Sequence, residues 1–297
     1  MFPAGVSGIR TRTATLASGL RLRVAETGAA NAPPVLLLHG WGASMYMWRA
    51  WLLPLVAAGR RAIAVDLPGH GLSDKPSNDA VYTLGGQLAV ARALLDELQV
   101  DSVDIVAQSM GGTIALELAL TGEHRLLKLA LVNPAAFGCV PIVPPARALS
   151  PAFIDAVLPR LVRRRVVAAA LRYVYGDPSR ITPRDVDEGW APSQFPEYAW
   201  AMRRLVHSFR WARLPVATMS DRLRALRSPV LVVLGGTDRL VRGSRAYVEQ
   251  LRDAGAPLLV RMVPAGGHAV NEERPEEVLA MTIAFLQEDG AGDRVGR

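Results

Sequence analysis

Short, predominantly apolar segments alternate with helical segments along most of this chain, and the alternation restricts the folds that it can adopt. The apolar segments lie at 35–38, 61–65, 103–107, 127–132, 230–234 and 257–263. Apolar runs of this kind, without regular polar alternation, predict strands that are covered on both faces. Such strands separated by helices predict an α/β fold with a mainly parallel sheet and helices on both faces. Residues 9–26 instead predict an antiparallel hairpin that turns near Ser18 and Gly19.

One long segment, 138–222, interrupts this alternation. Prolines are frequent near its start, it has helical stretches without a parallel strand, and half of the chain's aromatic residues fall in it. A helical insertion between two strands predicts a cap over the carboxyl edge of the sheet, where open α/β sheets bind ligands. We therefore expect one domain in three parts. These are a core at 1–137, a helical cap at 138–222, and the rest of the core at 223–297, with a last helix at 275–287 and a polar tail at 288–297.

The composition excludes several classes of protein. Half of the 297 residues are apolar and 21% are charged, which is typical of a globular chain with a substantial core. No stretch approaches the roughly 20 apolar residues of a membrane span, and the first ten residues lack the pattern of a secretory signal. We therefore expect a cytoplasmic protein without integral membrane association. Cys139 is the only cysteine, so an intramolecular disulfide and a cysteine-rich metal site are excluded.

The net charge of +7 raises the question of nucleic-acid binding. Most of the cations are arginines spread along the chain, and the densest cluster lies at 160–165. Neither a nucleic-acid motif nor an aromatic stacking surface accompanies this cluster, so it predicts a solvated helix face. We expect no nucleic-acid partner.

The most informative short motif is A-Q-S-M-G at 107–111. It places Ser109 between a buried strand and the start of a helix, with small residues two positions before and two after. This arrangement predicts a nucleophile elbow, a strained turn that exposes a serine at the end of a strand. The usual pattern is G-x-S-x-G, and its first glycine is replaced here by Ala107. The alternative is a serine that caps an ordinary helix.

A nucleophilic serine needs a base and a group that holds the base. His268, in a glycine-rich loop after the strand at 257–263, is the best candidate base among five histidines; the alternative is a loop histidine without a role. Asp238 follows the strand before that and is the candidate acid, although an Asx turn also explains it. The rival acid position holds Asn133, whose amide could bind an imidazole but could not stabilise its positive charge. The expected triad is Ser109, Asp238 and His268.

Acyl transfer also needs hydrogen-bond donors for the oxyanion. The expected donors are the backbone N–H of Met110, at the start of the helix, and that of Trp41 in the H-G-W-G motif at 39–42. The alternative for this motif is a plain glycine turn between strand and helix. Three pocket residues are predicted from position alone: Met45, Trp190 and Trp200. The aromatic residues of the cap fit a core of the cap equally well.

With these motifs the chain resembles the α/β-hydrolase superfamily, in its capped branch with a Ser-Asp-His triad. The matching motifs are L-L-H-G-W at 37–41, V-D-L-P-G-H-G-L-S-D-K-P at 65–76, Q-S-M-G-G at 108–112, G-G-T-D at 235–238 and G-H at 267–268. The resemblance implies that 65–76 is structural, so His70, Ser73 and Asp74 are expected to be non-catalytic. Ser109 disfavours the branches resembling haloalkane dehalogenases and epoxide hydrolases, which use an aspartate nucleophile. Gln108 and Met110 disfavour proline iminopeptidases, which usually carry tryptophan beside the serine.

The resemblance implies a serine hydrolase, and we expect a carboxylesterase-type or lipase-like enzyme that cleaves small to medium lipophilic esters without a metal or cofactor. Its partner would be a small-molecule substrate, and the protein a monomer or homodimer. One alternative is a hydrolase of carbon–carbon bonds in ring-cleavage products. That group shares the S-M-G-G run but commonly has glycine and proline after His-Gly, where this chain has Trp41 and Gly42. The other is a non-catalytic ligand-binding member of the fold.

Overall fold

A mostly parallel sheet forms the centre of the molecule. The computed structural model describes residues 1–288, apart from the side chain of Ala156, and within them the sheet has eight strands in the order β1-β2-β4-β3-β5-β6-β7-β8. The strands are β1 (Arg10–Thr15), β2 (Arg21–Thr27), β3 (Pro34–Leu38), β4 (Arg61–Val65), β5 (Val103–Gln108), β6 (Leu126–Val132), β7 (Val230–Gly235) and β8 (Leu258–Val263). The hairpin β1-β2 and the pair β2-β4 are antiparallel, and the other pairs are parallel.

Helices connect these strands. Before β6 lie α1 (Leu52–Ala57), α2 (Leu84–Glu97) and α3 (Ser109–Leu120). Between β6 and β7 lie α4 (Val143–Leu149), α5 (Leu158–Leu161), α6 (Arg164–Val174), α7 (Pro183–Trp190), α8 (Pro196–Ser208) and α9 (Val216–Ala225). After β7 lie α10 (Ser244–Asp253), α11 (Val270–Glu273) and α12 (Pro275–Gln287). Within residues 1–288, none of these helices has both the length and the apolar character needed to cross a membrane.

The central strands divide their apolar side chains between two cores, one on each face of the sheet. Leu36 of β3 and Ile105 of β5 belong to one core, whereas Leu37 and Val106, one residue further along, belong to the other. Because successive side chains of a strand point to opposite faces, a continuous apolar run supplies both cores at once. The predicted mainly parallel sheet, its helices on both faces and the N-terminal hairpin are confirmed.

Every regular secondary-structure element between β6 and β7 is a helix, which the prediction of a helical cap requires. The bounds of that cap stay a prediction. The expected boundary after residue 222 falls inside α9, where Leu223 packs into the core and Arg222 pairs with Glu117 of α3 at 2.8 Å. Of the predicted polar tail at 288–297, the residues from 289 onward lie outside the described residues.

Candidate active site

Ser109 lies at the sharp junction of β5 and α3. Its φ of +52° places it in the left-handed region, which costs a non-glycine residue free energy and is characteristic of functional turns. The N-cap of α3 is Gln108, and Ser109 is the first residue of the helix. Ser109 therefore does not cap the helix, and the turn has the geometry of a nucleophile elbow.

Close packing around the elbow explains the glycines beside it. A Cβ at Gly111 would lie 2.5 Å from the carbonyl oxygen of His39 and 2.7 Å from that of Leu38, so any side chain would separate α3 from the end of β3. Ala107 is fully buried between Leu38 of β3 and Leu131 of β6. Its methyl group is accommodated in this core, so the departure from the usual motif is compatible with the turn.

Asp238 and His268 form a hydrogen-bonded pair at the carboxyl edge of the sheet. His268 Nδ1 donates to Asp238 Oδ2 over 2.8 Å, and both side chains are 6% exposed. This bond leaves His268 Nε2 as the acceptor nitrogen of the neutral ring. Asp238 Oδ1 accepts the backbone N–H groups of Leu240 and Val241 at 2.8 and 2.9 Å. The carboxylate therefore closes its own turn and orients the imidazole, so both interpretations of Asp238 apply together.

The loop that carries His268 is held through its backbone. The carbonyl oxygen of His268 accepts from the side-chain amides of Gln108 and Asn133, each at 3.0 Å. Asn133 also donates to the carbonyl oxygen of Gly267 at 2.9 Å and accepts from the N–H of Gly235 at 2.8 Å. The amide at Asn133 thus binds no imidazole. It joins the end of β7, which precedes Asp238 in the chain, to the loop of His268. No sequence motif indicates this contact.

Glu273 joins the same loop to the end of α6. Its Oε1 accepts the N–H of Gly267 at 3.0 Å, and its Oε2 accepts those of Gly176 and Asp177 at 2.8 and 3.2 Å. Burial raises the pKa of Glu273 even though these three donors act in the opposite direction. The N–H of His268 donates to the carbonyl oxygen of Val174, at the end of α6, over 2.7 Å. The predicted cap and the loop of the candidate base are therefore in direct contact.

The two expected oxyanion donors belong to the first turn of α3 and to the loop after β3, where Gly40 lies close to Gln108 and Ser109. Met110 is in the first turn of α3, where backbone N–H groups have no acceptor within the helix. The loop of Trp41 is fixed by His39, whose Nδ1 donates to the carbonyl oxygen of Gly40 at 2.7 Å and whose Nε2 accepts the N–H of Leu67 at 2.9 Å. Burial lowers the pKa of His39, so its ring stays neutral. His39 is thus a structural residue of this loop, and the donor role of Trp41 stays a prediction.

A cavity of about 370 Å³ brings the candidate residues together. Ser109, His268 and Trp41 line it, and its other walls are mostly apolar side chains of the helical segment between β6 and β7, for example Val143 of α4 and Met202 of α8. A volume of this size suits a small-molecule ligand.

The three predicted pocket residues do not line this cavity. Met45 is buried in the core that contains Leu37 and Val106, and its N–H donates to Asp66. Trp200 donates through Nε1 to the carbonyl oxygen of Asp155 at 2.8 Å. Trp190 does not line the cavity, although its neighbour Gly189 does. The structure thus places Met45, Trp190 and Trp200 outside the lining of this cavity. The aromatic residues that line the cavity are Trp41, Tyr46, Tyr173, Tyr198 and Trp211.

One end of the cavity is polar. Tyr46, Asp185 and Glu272 line it, and Arg49 binds both carboxylates, at 2.9 Å to Asp185 and 2.5 Å to Glu272. Tyr46 donates its hydroxyl to Asp185 Oδ1 at 2.7 Å. Burial raises the pKa of Glu272, and the attraction of Arg49 only partly offsets it. Arg49, the cation that contacts this end, is thus already bound to two acidic side chains.

Residues implied to be non-catalytic have structural partners. Ser73 donates to the carbonyl oxygen of Asp66 at 2.5 Å, and Asp74 pairs with Arg21 of the hairpin at 3.1 Å. His70 is fully buried, and burial lowers its pKa well below the usual value. Within residues 1–288, no group of three His, Cys, Asp or Glu side chains is arranged to hold a metal ion.

Comparison with known proteins identifies the family. A sequence model described as the alpha/beta hydrolase family matches residues 35–281. The chain is 28% identical over 274 residues to the dihydrolipoyllysine-residue acetyltransferase component of acetoin cleaving system from Pseudomonas putida, covering 91% of this chain and 67% of that protein. It is 29% identical over 276 residues to the 2-hydroxy-6-oxo-6-phenylhexa-2,4-dienoate hydrolase of Burkholderia cepacia, covering 91% and 92%.

Among solved structures, the fold is similar to that of a 2-hydroxy-6-oxo-6-phenylhexa-2,4-dienoate hydrolase from Rhodococcus sp. strain RHA1. The TM-score is 0.76 at 22% identity, and the likeness covers 94% of this chain and 99% of that one. Since the family match extends over well more than half of the sequence, this chain belongs to the alpha/beta hydrolase family.

Proposed function

We propose that the protein is a serine hydrolase that cleaves uncharged, lipophilic carboxylic esters through an acyl-enzyme on Ser109. The observation that carries this proposal is the strained Ser109 opening into the same cavity as His268, whose ring is hydrogen-bonded to Asp238 at 2.8 Å. A nucleophile, a base and a group that orients the base are the parts that acyl transfer requires.

In the proposed reaction, His268 Nε2 takes the Ser109 hydroxyl proton as Oγ attacks the ester carbonyl carbon. The N–H groups of Trp41 and Met110 stabilise the resulting oxyanion. His268 then protonates the alkoxide that leaves, and the acyl group remains on Ser109. A water molecule, deprotonated by His268, attacks the acyl carbon, so that the carboxylic acid departs and Ser109 recovers its proton. Asp238 keeps the imidazole in the correct tautomer and stabilises its charged form.

The electrostatics of the cavity support an uncharged substrate. Among the described residues that line it, none is a lysine or an arginine. Arg49, just behind the polar end, is bound to Asp185 and Glu272. A substrate carboxylate would enter a mostly apolar space without an available cation, at a large cost in hydration. Esters without a charged acyl group avoid that cost.

A carbon–carbon bond hydrolase with the same triad is the second candidate. The dienoate hydrolase of Burkholderia cepacia, which is 29% identical over nearly the full length of both chains, favours it. The dienoate in the name of that enzyme is a carboxylate, which is the group that the cavity of this chain is least suited to accept.

A direct comparison of substrates tests the proposal. Purified protein is assayed with p-nitrophenyl esters of increasing acyl length and with a ring-fission dienoate, beside Ser109→Ala as the inactive control. We expect turnover of the esters that depends on Ser109, and weak or no turnover of the dienoate. Efficient cleavage of the dienoate with poor turnover of every ester would contradict the esterase proposal and favour the second candidate.

A further inference from the structure

The segment 149–166 exposes an unusual number of large apolar side chains; we call it the cap patch. Phe153 and Leu149 are 82% and 78% exposed, the highest values among the exposed large apolar residues within 1–288. The patch contains five such residues, Leu149, Phe153, Val157, Leu161 and Val166. Single exposed apolar residues are common on protein surfaces, but several in one segment mark a surface that binds something.

The cap patch is also strongly basic. It contains four arginines, at 160, 163, 164 and 165, and one acidic residue, Asp155. Asp155 is bound to Arg203 at 2.6 Å and is thus already neutralised. Arg163, Arg164 and Arg165 are exposed, and of these Arg164 is paired with Asp187 at 2.6 Å. Exposed aliphatic and aromatic side chains interspersed with arginines are characteristic of segments that lie in the interface of an anionic membrane.

The patch lies beside the cavity that leads to Ser109. Val162 and Val166 both line the cavity, and Val166 is half exposed to solvent as well. An apolar surface bound at the patch would therefore be continuous with the mostly apolar cavity. A second copy of the chain fits the same surface poorly, since a two-fold interface would bring the arginines of both copies together.

We propose that the cap patch docks the protein on an anionic lipid surface, with the cavity facing the lipid, so that apolar substrates enter it from that surface. The apolar side chains insert among the acyl chains near the headgroups, and Arg163 and Arg165 bind the acidic headgroups. Docking does not use Ser109, so it holds or fails independently of the proposed ester hydrolysis.

Vesicle sedimentation tests this proposal with the full-length chain. The vesicles consist of phosphatidylcholine alone or of phosphatidylcholine with one third phosphatidylglycerol. We expect binding to the anionic vesicles that weakens at high salt. Arg163→Gln with Arg165→Gln lowers partitioning about 30-fold, from roughly five-fold per arginine. Phe153→Ser with Leu161→Ser lowers it similarly.

Matched controls separate docking from general changes of charge or hydropathy. Leu53→Ser with Leu127→Ser removes two leucines outside the patch that are 46% and 52% exposed, and Arg10→Gln with Arg227→Gln removes two exposed arginines outside it. Both controls should bind vesicles as the wild type does, and all variants should hydrolyse a soluble short-chain ester equally. Three results would overturn the proposal: no binding to anionic vesicles, equal loss in patch and control variants, or a wild-type dimer that the patch variants abolish.

Discussion

Asn133 offers the sharpest test of how the two loops of the candidate site are held. Its amide makes three hydrogen bonds of 2.8–3.0 Å to the backbone at Gly235, Gly267 and His268. In Asn133→Ala, the carbonyl oxygen of His268 keeps its bond from Gln108, whereas the groups of Gly235 and Gly267 lose theirs. Two unsatisfied backbone groups cost about 1–3 kcal/mol each. Because Gly235 is only partly buried, we expect a loss of about 3 kcal/mol.

The backbone of Asn133 contributes a second, separable effect. Its φ is +42°, a conformation that asparagine tolerates better than alanine. Alanine there costs about 1 kcal/mol more, so Asn133→Ala should lose about 4 kcal/mol in total and Asn133→Gly about 3 kcal/mol. Asn133→Asp keeps the acceptor for Gly235 but turns an oxygen toward the carbonyl oxygens of Gly267 and His268, so it should be at least as damaging as Asn133→Ala.

Urea unfolding at constant pH gives the stabilities, and hydrolysis of a p-nitrophenyl ester gives the kinetics. A shift of the loops carrying Asp238 and His268 by about 1 Å should lower kcat about 100-fold, with KM changed little. If Asn133→Asp unfolds at the wild-type urea concentration and keeps the wild-type kcat, the amide does not hold these loops and the reasoning is refuted.

Three further predictions address the charge of the acid, the buried carboxyl group and the elbow. Asp238→Asn keeps the turn but loses the charge that orients His268, so kcat should fall about 10³–10⁴-fold with a small change in Tm; an active Asp238→Asn enzyme would exclude Asp238 as the acid. Burial raises the pKa of Glu272 above its unfolded value of about 4.3, so its contribution to stability is complete below that pH and is lost as the pH rises through the folded pKa. The Tm of the wild type relative to Glu272→Gln should therefore fall as pH rises from about 4 to 8, and a constant difference would show that Glu272 does not titrate in this way. In Gly40→Ala the new methyl would lie 3.0 Å from Ser109 Cβ and collide with Gln108, so we expect a loss of kcat and a lower Tm; wild-type values would show that the two loops are not in close contact.

The parts of the fold that were predicted correctly depend on local patterns. The strand at 103–107, the serine and the helix behind it are adjacent in the chain, so their physical signals lie within one window of sequence. Asp238 and His268 follow successive strands of a parallel sheet, and the carboxyl ends of such strands meet at one edge. Their pairing could therefore be expected without knowledge of the side-chain positions.

Contacts between distant segments could not be predicted in this way. Glu273 binds Gly176 and Asp177 across nearly a hundred residues, and nothing in the local sequence of either segment points to the other. The partners of Asn133 are backbone N–H and C=O groups. Because such groups occur whatever the side chain, the residue types of the sequence do not identify them. The contact of Glu273 depends on how the predicted cap lies on the core, whereas that of Asn133 depends on how three separate loops of the core meet.

The difference between the predicted pocket residues and those that line the cavity has a similar cause. The 3₁₀ helix Met45–Trp48 is buried throughout, yet Tyr46 and Met47 line the cavity while Met45 packs into the core. In a run of consecutive buried residues, the sequence does not show which side chain faces a cavity and which faces the core.

The most direct test of the central claim is labelling with a fluorophosphonate, followed by the intact mass of the protein and mapping of the modified peptide. The wild type should gain one phosphonyl group, on Ser109, whereas folded Ser109→Ala should gain none and His268→Ala should react far more slowly. A folded wild-type protein that gains no adduct, or a Ser109→Ala protein that still gains one, would contradict the claim that Ser109 is the nucleophile.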